Sequence, residues 1–533
     1  MLLQIHGEPS PASRHIKDIT GPAFFPHSLE YSVPARGTWN IVHTGMLVPE
    51  SHHIYICASG CLRGVVLTAA EMGADYRRRF STIELKSKDL VNTDNEQLII
   101  DGITDILNNL DYTPRSVFVF PACVHHFLGC NLRYVYRELQ RRFPGLDFAE
   151  CFMDPVCQTN PRNLTPEDRL RRAITRLWDI GTIEPRTLTL FNSNFPMAAS
   201  SPVYEIARAA GWQIHDAAAC QSYDDFRALG HAAVFAYTSP MGHRAARDLG
   251  RRTGRPVIYL PQQWRAPETT ASIRQLLTAM DLTAASMPDT MLARHREDAA
   301  SGLAALKAEI GSLPIAIDYT FTHCLFSMAR ALVEAGLNVV RLYADACLPE
   351  EAEDFQWLQQ HCPDLEIYSA KQADMRFAVD ADALAAARSP HPPRRILALG
   401  QKAAYYTASP YFVNVIESGG EFGLTGLAVL ARDMRQASRT PKNLEKTISP
   451  KGWRGPCELC LKKMTGQQRR ICIRRRLPIS SVLTPPTISA SAQRSTSSAA
   501  WSSSTTPPAA TPPIRHMMSR AGSRNPACST SPP

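Results

Sequence analysis

The chain has 533 residues, 44% hydrophobic and 20% charged, enough for about three domains of roughly 150 residues with buried cores. Its net charge of +9 sits at one end, because eleven Lys and Arg and no carboxylate follow Glu458, while 47 basic residues face 49 acidic ones before that point. A near-neutral body argues against nucleic acid as a partner, and the lack of any run approaching ~20 apolar residues argues against a membrane span.

Residues 1–50 are rich in Pro and His, show little periodicity and are expected to form an extended arm or cap. The opening MLLQIHGEPSPASRH lacks the apolar stretch of a signal peptide, which points to the cytoplasm. An apolar run over residues 52–59 then reads as a strand feeding a helix in CLRGVVLTAAEMGADYRRR. DNEQLIIDGITDILNNL reads as a second helix, ahead of a strand at Ser116–Phe120. The pattern restarts at Thr187–Phe195, with helices in VYEIARAAG and HRAARDLGRRTG and strands in WQIHDA, AAVFAYT and PVIYLPQQW. It restarts again at Leu313–Phe321, with a helix in HCLFSMARALVEAG, a strand in NVVRLYA and a closing strand at Arg394–Gly400.

Gly211, Gly254 and Gly336 each stand between a helix and an apolar strand, as left-handed caps feeding parallel sheets. The fold class is therefore α/β, with three Rossmann-like parallel-sheet domains at 51–183, 184–305 and 306–454, after the arm at 1–50. From 455 to 533 the composition turns to Arg, Pro, Ser, Thr and Ala, which buries no core. That tail is read either as a disordered segment or as an out-of-frame translation of a GC-rich gene. In the second case Cys457-x-x-Cys460, half of a zinc site in appearance, carries no meaning.

Fourteen cysteines at irregular spacing in so long a chain read as reduced thiols rather than a disulfide framework. Cys57, Cys61 and Cys123 follow strand-like runs, and thiols in loops at the ends of parallel strands can converge on an iron–sulfur cluster.

Around these thiols, YICASGCLRGVVLTAAEMG (Tyr55–Gly73), FPACVHHFLGCNLRYVYRELQRRFPGLDF (Phe120–Phe148) and GEFGLTGLAVLARDM (Gly420–Met434) resemble the nitrogenase component 1 family over roughly residues 20–455. The resemblance implies three Rossmann-like domains and an electron-accepting subunit that relays low-potential electrons to a substrate or cofactor between them. Cys61 and Cys123 match family cysteines that hold a [4Fe–4S] cluster bridging subunits, and Cys57 is the candidate third ligand. If residues 54–58 stay extended, however, the Cys57 side chain faces away. Cys130 is a weaker candidate, on the expectation that the following helix lowers its thiol pKa. Cys151 and Cys157 are weaker still, and Cys220, Cys324, Cys347 and Cys362 are read as structural. His125 and His126 are candidate proton donors beside the cluster, and Arg63 is a candidate to offset its charge.

The departures from the family also carry information. The His that anchors the molybdenum–iron cofactor in the family falls at Val413, and residues 260–300 contain no Cys. No molybdenum–iron cofactor is expected, and dinitrogen is not the expected substrate. The chain lacks G-x-x-x-x-G-K-[ST] and an intact G-x-G-x-x-G, so its electrons come from a partner. The resemblance implies an ATP-dependent reductase like nitrogenase iron protein, and a homologous component 1 subunit in a heterodimer or heterotetramer, or a homodimer. SGGEFGLTG (Ser418–Gly426) is read as a tight turn into a helix rather than a phosphate cradle. The rival functions are a cofactor-assembly scaffold, a non-redox ligand-binding protein, or an inactive truncated product.

Overall fold

A computed structural model describes residues 12–444, except 27–29, 32, 34, 36, 38–39, 93, 154–163, 283–288, 380–385 and 388. All of them fall in one unit, Met1–Pro478. The tail at 455–533 and Cys157 lie outside the described residues.

Three sheets organise the chain. The first has the order β3-β2-β4-β5, from Phe80–Leu85, Ser51–Ala58, Ser116–Pro121 and Asp147–Glu150, all parallel. The second has the order β7-β6-β8-β9, from Gln213–Asp216, Glu184–Phe191, Ala232–Tyr237 and Val257–Tyr259, again all parallel. The third has the order β1-β12-β11-β10-β13-β14, in which Glu366–Tyr368 (β12), Val339–Tyr343 (β11), Ile315–Asp318 (β10), Leu397–Leu399 (β13) and Phe412–Val413 (β14) are parallel. In every sheet the first strand of its parallel set lies inside, flanked by strands that follow it in sequence. Connections therefore leave it in two directions and open a crevice at its carboxyl end.

The first sheet illustrates why the pattern folds this way. Ile54 and Ile56 of β2 and Val117 and Val119 of β4 point to one face, where Ile99, Ile103 and Ile106 of helix Asn95–Asn108 and Val135 and Leu139 of helix Leu132–Arg142 cover them. Tyr55, Cys57, Phe118 and Phe120 point to the other face, against Leu62, Val65 and Ala69 of helix Ser59–Met72 and Leu170 of helix Pro166–Arg176. With both faces covered, central strands are apolar at consecutive positions, and each fully buried Ile or Phe contributes about 1.5–3 kcal/mol. The second face is continuous with Phe191, Phe226, Phe235 and Leu249 of the second lobe, so one core joins the two lobes.

Three expectations are revised. The arm is not extended throughout: Ser13–His15 (β1) pairs antiparallel with β12 on the third sheet, and Ile41–Met46 is a helix opened by an Asn40–His43 capping box. The helix from Cys61 onward begins at Ser59 and breaks at Gly73, φ 119°, before a short helix Ala74–Arg78. The strand at Arg394–Gly400 shortens to Leu397–Leu399 and does not close its sheet, since β14 pairs beyond it. The glycine caps stand as expected: Gly211, Gly254 and Gly336 have φ of 67°, 67° and 76°.

Buried imidazoles make this fold sensitive to acid. His52 bonds the Tyr112 hydroxyl at 2.7 Å and the Ser81 hydroxyl at 2.9 Å, and burial, then the Arg79 guanidinium, hold it down to about 3. Burial, then Arg171, likewise lower His323 to about 4. Unfolded, both titrate near 6.5. The unfolded chain therefore binds the extra protons, and the stability these groups confer is complete above pH ~6.5 and falls below it by about 1.4 kcal/mol per pH unit for each imidazole. Urea unfolding of the His52→Gln variant between about pH 6.5 and 5 should show a shallower loss than the native chain; an identical slope would refute the assignment.

Candidate functional site

The crevice of the first sheet opens between β2 and β4, where Ile56 is in register with Pro121 and the Ala122 N–H donates to the Ile56 carbonyl at 3.1 Å. Cys57 is the penultimate residue of β2, Cys61 lies in the first turn of helix Ser59–Met72, and Cys123 opens helix Cys123–Phe127 directly beyond β4. The parallel register thus places three cysteines, on two segments, at the same end of the sheet. Burial first, and then the neighbouring Cys61 and Cys123, push the Cys57 thiol up to about 12.

Their surroundings differ. Cys61 is exposed, Cys123 is half-buried and Cys57 is fully buried. Because β2 stays extended through Ala58, Cys57 joins the Tyr55 and Phe120 face, which is also the face carrying helix Ser59–Met72. Ala58 offers that helix no side-chain cap, so its first N–H groups have no side-chain acceptor from that position. Beside Cys61, a Cβ at Gly60 or Gly64 would meet nothing within 4 Å. Packing within the chain does not require glycine there, and both positions leave room for another surface. Beyond Cys123 along the chain, Phe127, Leu128 and Tyr134 are 74%, 43% and 38% exposed.

His125 is buried, with Nδ1 3.1 Å from the Ala122 carbonyl and Nε2 without a hydrogen-bond partner among the described residues. Burial lowers its pKa, so the neutral ring is favoured. His126 stacks on Phe152 with centroids 4.8 Å apart, and Arg169 covers the same ring at 4.6 Å. Cys130 departs from its expectation: the helix starts two residues later, at Leu132, and its N-cap is Asn131, whose side chain accepts from the Tyr134 N–H at 3.2 Å. Burial, then Glu96, raise the Cys130 thiol pKa instead of lowering it. Cys151 is buried and raised by burial, then by Glu150. Cys220 and Cys324 are also raised chiefly by burial, as suits structural thiols.

A second cluster escaped the reading of the residues. Arg171 donates from Nε to Glu167 at 2.8 Å, from one terminal nitrogen to the Asn192 carbonyl at 2.7 Å and from the other to Asn194 Oδ1 at 3.1 Å. Asn194 in turn donates to Glu417 Oε2 at 2.8 Å, and His323 Nε2 lies 3.9 Å from the same oxygen. The network ties helix Pro166–Arg176 to the loop after β6 and to the turn before helix Gly423–Arg439. That turn holds Glu417 and Ser418 at φ of 49° and 62°, and a Cβ at Gly420 would sit 2.0 Å from the Pro196 carbonyl oxygen. Ser418–Phe422 is thus a tight turn, packed against the second lobe, that leads into helix Gly423–Arg439. The polar FNSN after an apolar strand was the available signal for this cluster.

Among the described residues, no group of three or more His, Cys, Asp or Glu is arranged to hold a metal ion, and no helix is long and apolar enough to cross a membrane. The described residues therefore show no four-thiolate site within the chain.

No curated protein matches the chain. Among solved structures, one described as nitrogenase Cp1 at pH 6.5 is similar with a TM-score of 0.56 at 12% identity, covering 84% of this chain and 98% of that one. A second, nitrogenase Cp1 at pH 5, is similar with a TM-score of 0.51 at 10% identity, covering 81% and 94%. At such identities the likeness concerns the fold of parallel-sheet lobes alone. The family described as Nitrogenase component 1 type Oxidoreductase matches residues 42–434, a span that takes in all three sheets except β1, both segments that carry Cys57, Cys61 and Cys123, and the terminal ARDM; the chain belongs to that family.

Proposed function

We propose that the chain is the electron-accepting subunit of a nitrogenase-like oxidoreductase, in which Cys61 and Cys123, with Cys57 beneath them, hold a [4Fe–4S] cluster at the edge of the first lobe. The observation that supports this reading best is the placement of three cysteines at the same strand ends beside one crevice in a member of an oxidoreductase family. When bound, such a cluster takes up and gives back single electrons at low potential.

The chain's own residues would prepare the site. Cys61 and Cys123 offer thiols from the first turns of two helices, and the uncapped N–H groups behind Cys61 can donate hydrogen bonds to sulfur, which tunes a cluster's potential. Three thiols leave a cluster one ligand short, so a second component 1 subunit, homologous or identical, would complete it and cover Phe127 and Leu128. His126, on the ring of Phe152, and buried His125 are the candidates to hand on protons. With no P-loop in the sequence, an ATP-dependent iron–sulfur reductase would supply the electrons. Val413 in place of a histidine argues against a molybdenum–iron cofactor. The exposure of Cys61 also suits a second reading, an assembly scaffold that passes a cluster to another protein.

Anaerobic reconstitution with iron and sulfide tests the proposal. A chain that retains about four iron and four sulfide per cluster, with an electron paramagnetic resonance signal on reduction, supports it. Retention without substrate turnover under a strong reductant favours the scaffold. A chain that holds no iron, even beside its partner subunit, refutes both.

A further inference from the structure

Helix Pro166–Arg176 and helix His243–Thr253 pack side by side across the first two lobes. Together they carry eight arginines against three carboxylates, Glu167, Asp168 and Asp248, in a body that elsewhere has more acidic than basic residues. Glu167 and Arg171 turn inward to the network described above. At the centre of what remains, Asp248 is 8% exposed and accepts from Arg172 Nε at 3.1 Å and from Arg176 Nε at 3.2 Å, with Arg251 and Arg252 each 4.0 Å away. Four guanidinium groups present about twenty N–H donors between them, and one carboxylate occupies few of these. Arg176 and Arg251 are 50% and 71% exposed, and Arg247 is exposed beside them.

The spacing specifies the partner. Arg172 and Arg176 on one helix, and Arg247 and Arg251 on the other, stand four residues apart, which is about 6 Å along each axis. Planar guanidinium groups pair bidentately with carboxylates, and carboxylates four residues apart on a helix repeat at the same interval. A nucleic acid would run past this short patch onto a net-negative body, where its phosphates are repelled. We infer that these two helices form the docking surface for an acidic protein, whose carboxylates at helical spacing pair with Arg172, Arg176, Arg247 and Arg251. None of these arginines belongs to the thiol site, so this surface stands or falls apart from the cluster assignment.

Fluorescence anisotropy on the full chain tests it with three probes: a helical peptide with glutamates at i and i+4, a peptide of equal charge with its glutamates in one block, and a DNA duplex of about 20 base pairs. The spaced peptide should bind tightest and lose at least tenfold in affinity between about 50 and about 200 mM salt. Arg176→Gln/Arg251→Gln should weaken it at least tenfold. Arg247→Glu/Arg251→Glu, which spares the bonds closest to Asp248, should do the same with an unchanged melting temperature. No binding of the spaced peptide, equal binding by the Arg247→Glu/Arg251→Glu variant, equal binding of the block peptide, or tighter binding of the duplex would each overturn the inference.

Discussion

Replacing Cys61 and Cys123 together by Ala should abolish retention of iron and sulfide after anaerobic reconstitution, while changing the free energy of unfolding by less than about 1 kcal/mol. Cys61 is exposed and Cys123 half-buried, so neither leaves a sizeable cavity, and exposed substitutions away from special features stay within about 0.5 kcal/mol. Cys57→Ala is the counterpart. Its sulfur lies in the core with Tyr55 and Phe120, and deleting it should cost about 1–2 kcal/mol whatever its part in ligation. Iron content, rather than stability, then separates a third ligand from a packing thiol: a drop shared with the double variant makes Cys57 a ligand, and native content makes it part of the floor. A double variant that holds iron as the native chain does would remove the cluster from this crevice.

The largest loss of stability should come from Arg171→Met. Its guanidinium meets three partners on two segments, and among the described residues no other cation bonds the Glu167 carboxylate, whose pKa burial already raises. Removing one member of a buried charged network leaves the others desolvated and unpaired, at a cost of about 3–5 kcal/mol. Arg171→Lys should recover only part of this, because one ammonium cannot reach positions served by a planar fork. Urea unfolding of the two variants reads the difference directly; a loss below about 1 kcal/mol for Arg171→Met would mean that the lobes are held by their shared apolar core alone.

Which parts of this were legible depends on how far each signal reaches along the chain. The apolar runs at 52–59, Thr187–Phe195 and Leu313–Phe321 became β2, β6 and β10 because strand propensity and burial on both faces act on consecutive residues. Gly211, Gly254 and Gly336 marked helix ends because a positive φ is a local requirement. Cys130 misled because one residue decides a cap: Asn131, with its short side-chain acceptor, takes the N-cap and leaves the thiol outside the first turn. The edge strand at Ser13–His15 was invisible, since it pairs with residues more than 350 positions away.

The sequence by itself determined the α/β alternation, the family, and Cys61 and Cys123 as the residues to watch, because periodicity, glycine caps and motif spacing are written in neighbouring residues. Only the tertiary structure decided that Cys57 remains in a strand with its thiol in the core, that Arg171, Asn194 and Glu417 meet between lobes, and that arginines 75 to 80 residues apart converge on Asp248. These outcomes depend on which helices pack against one another and which strand ends share a crevice, and such distances are set by burial of the whole chain.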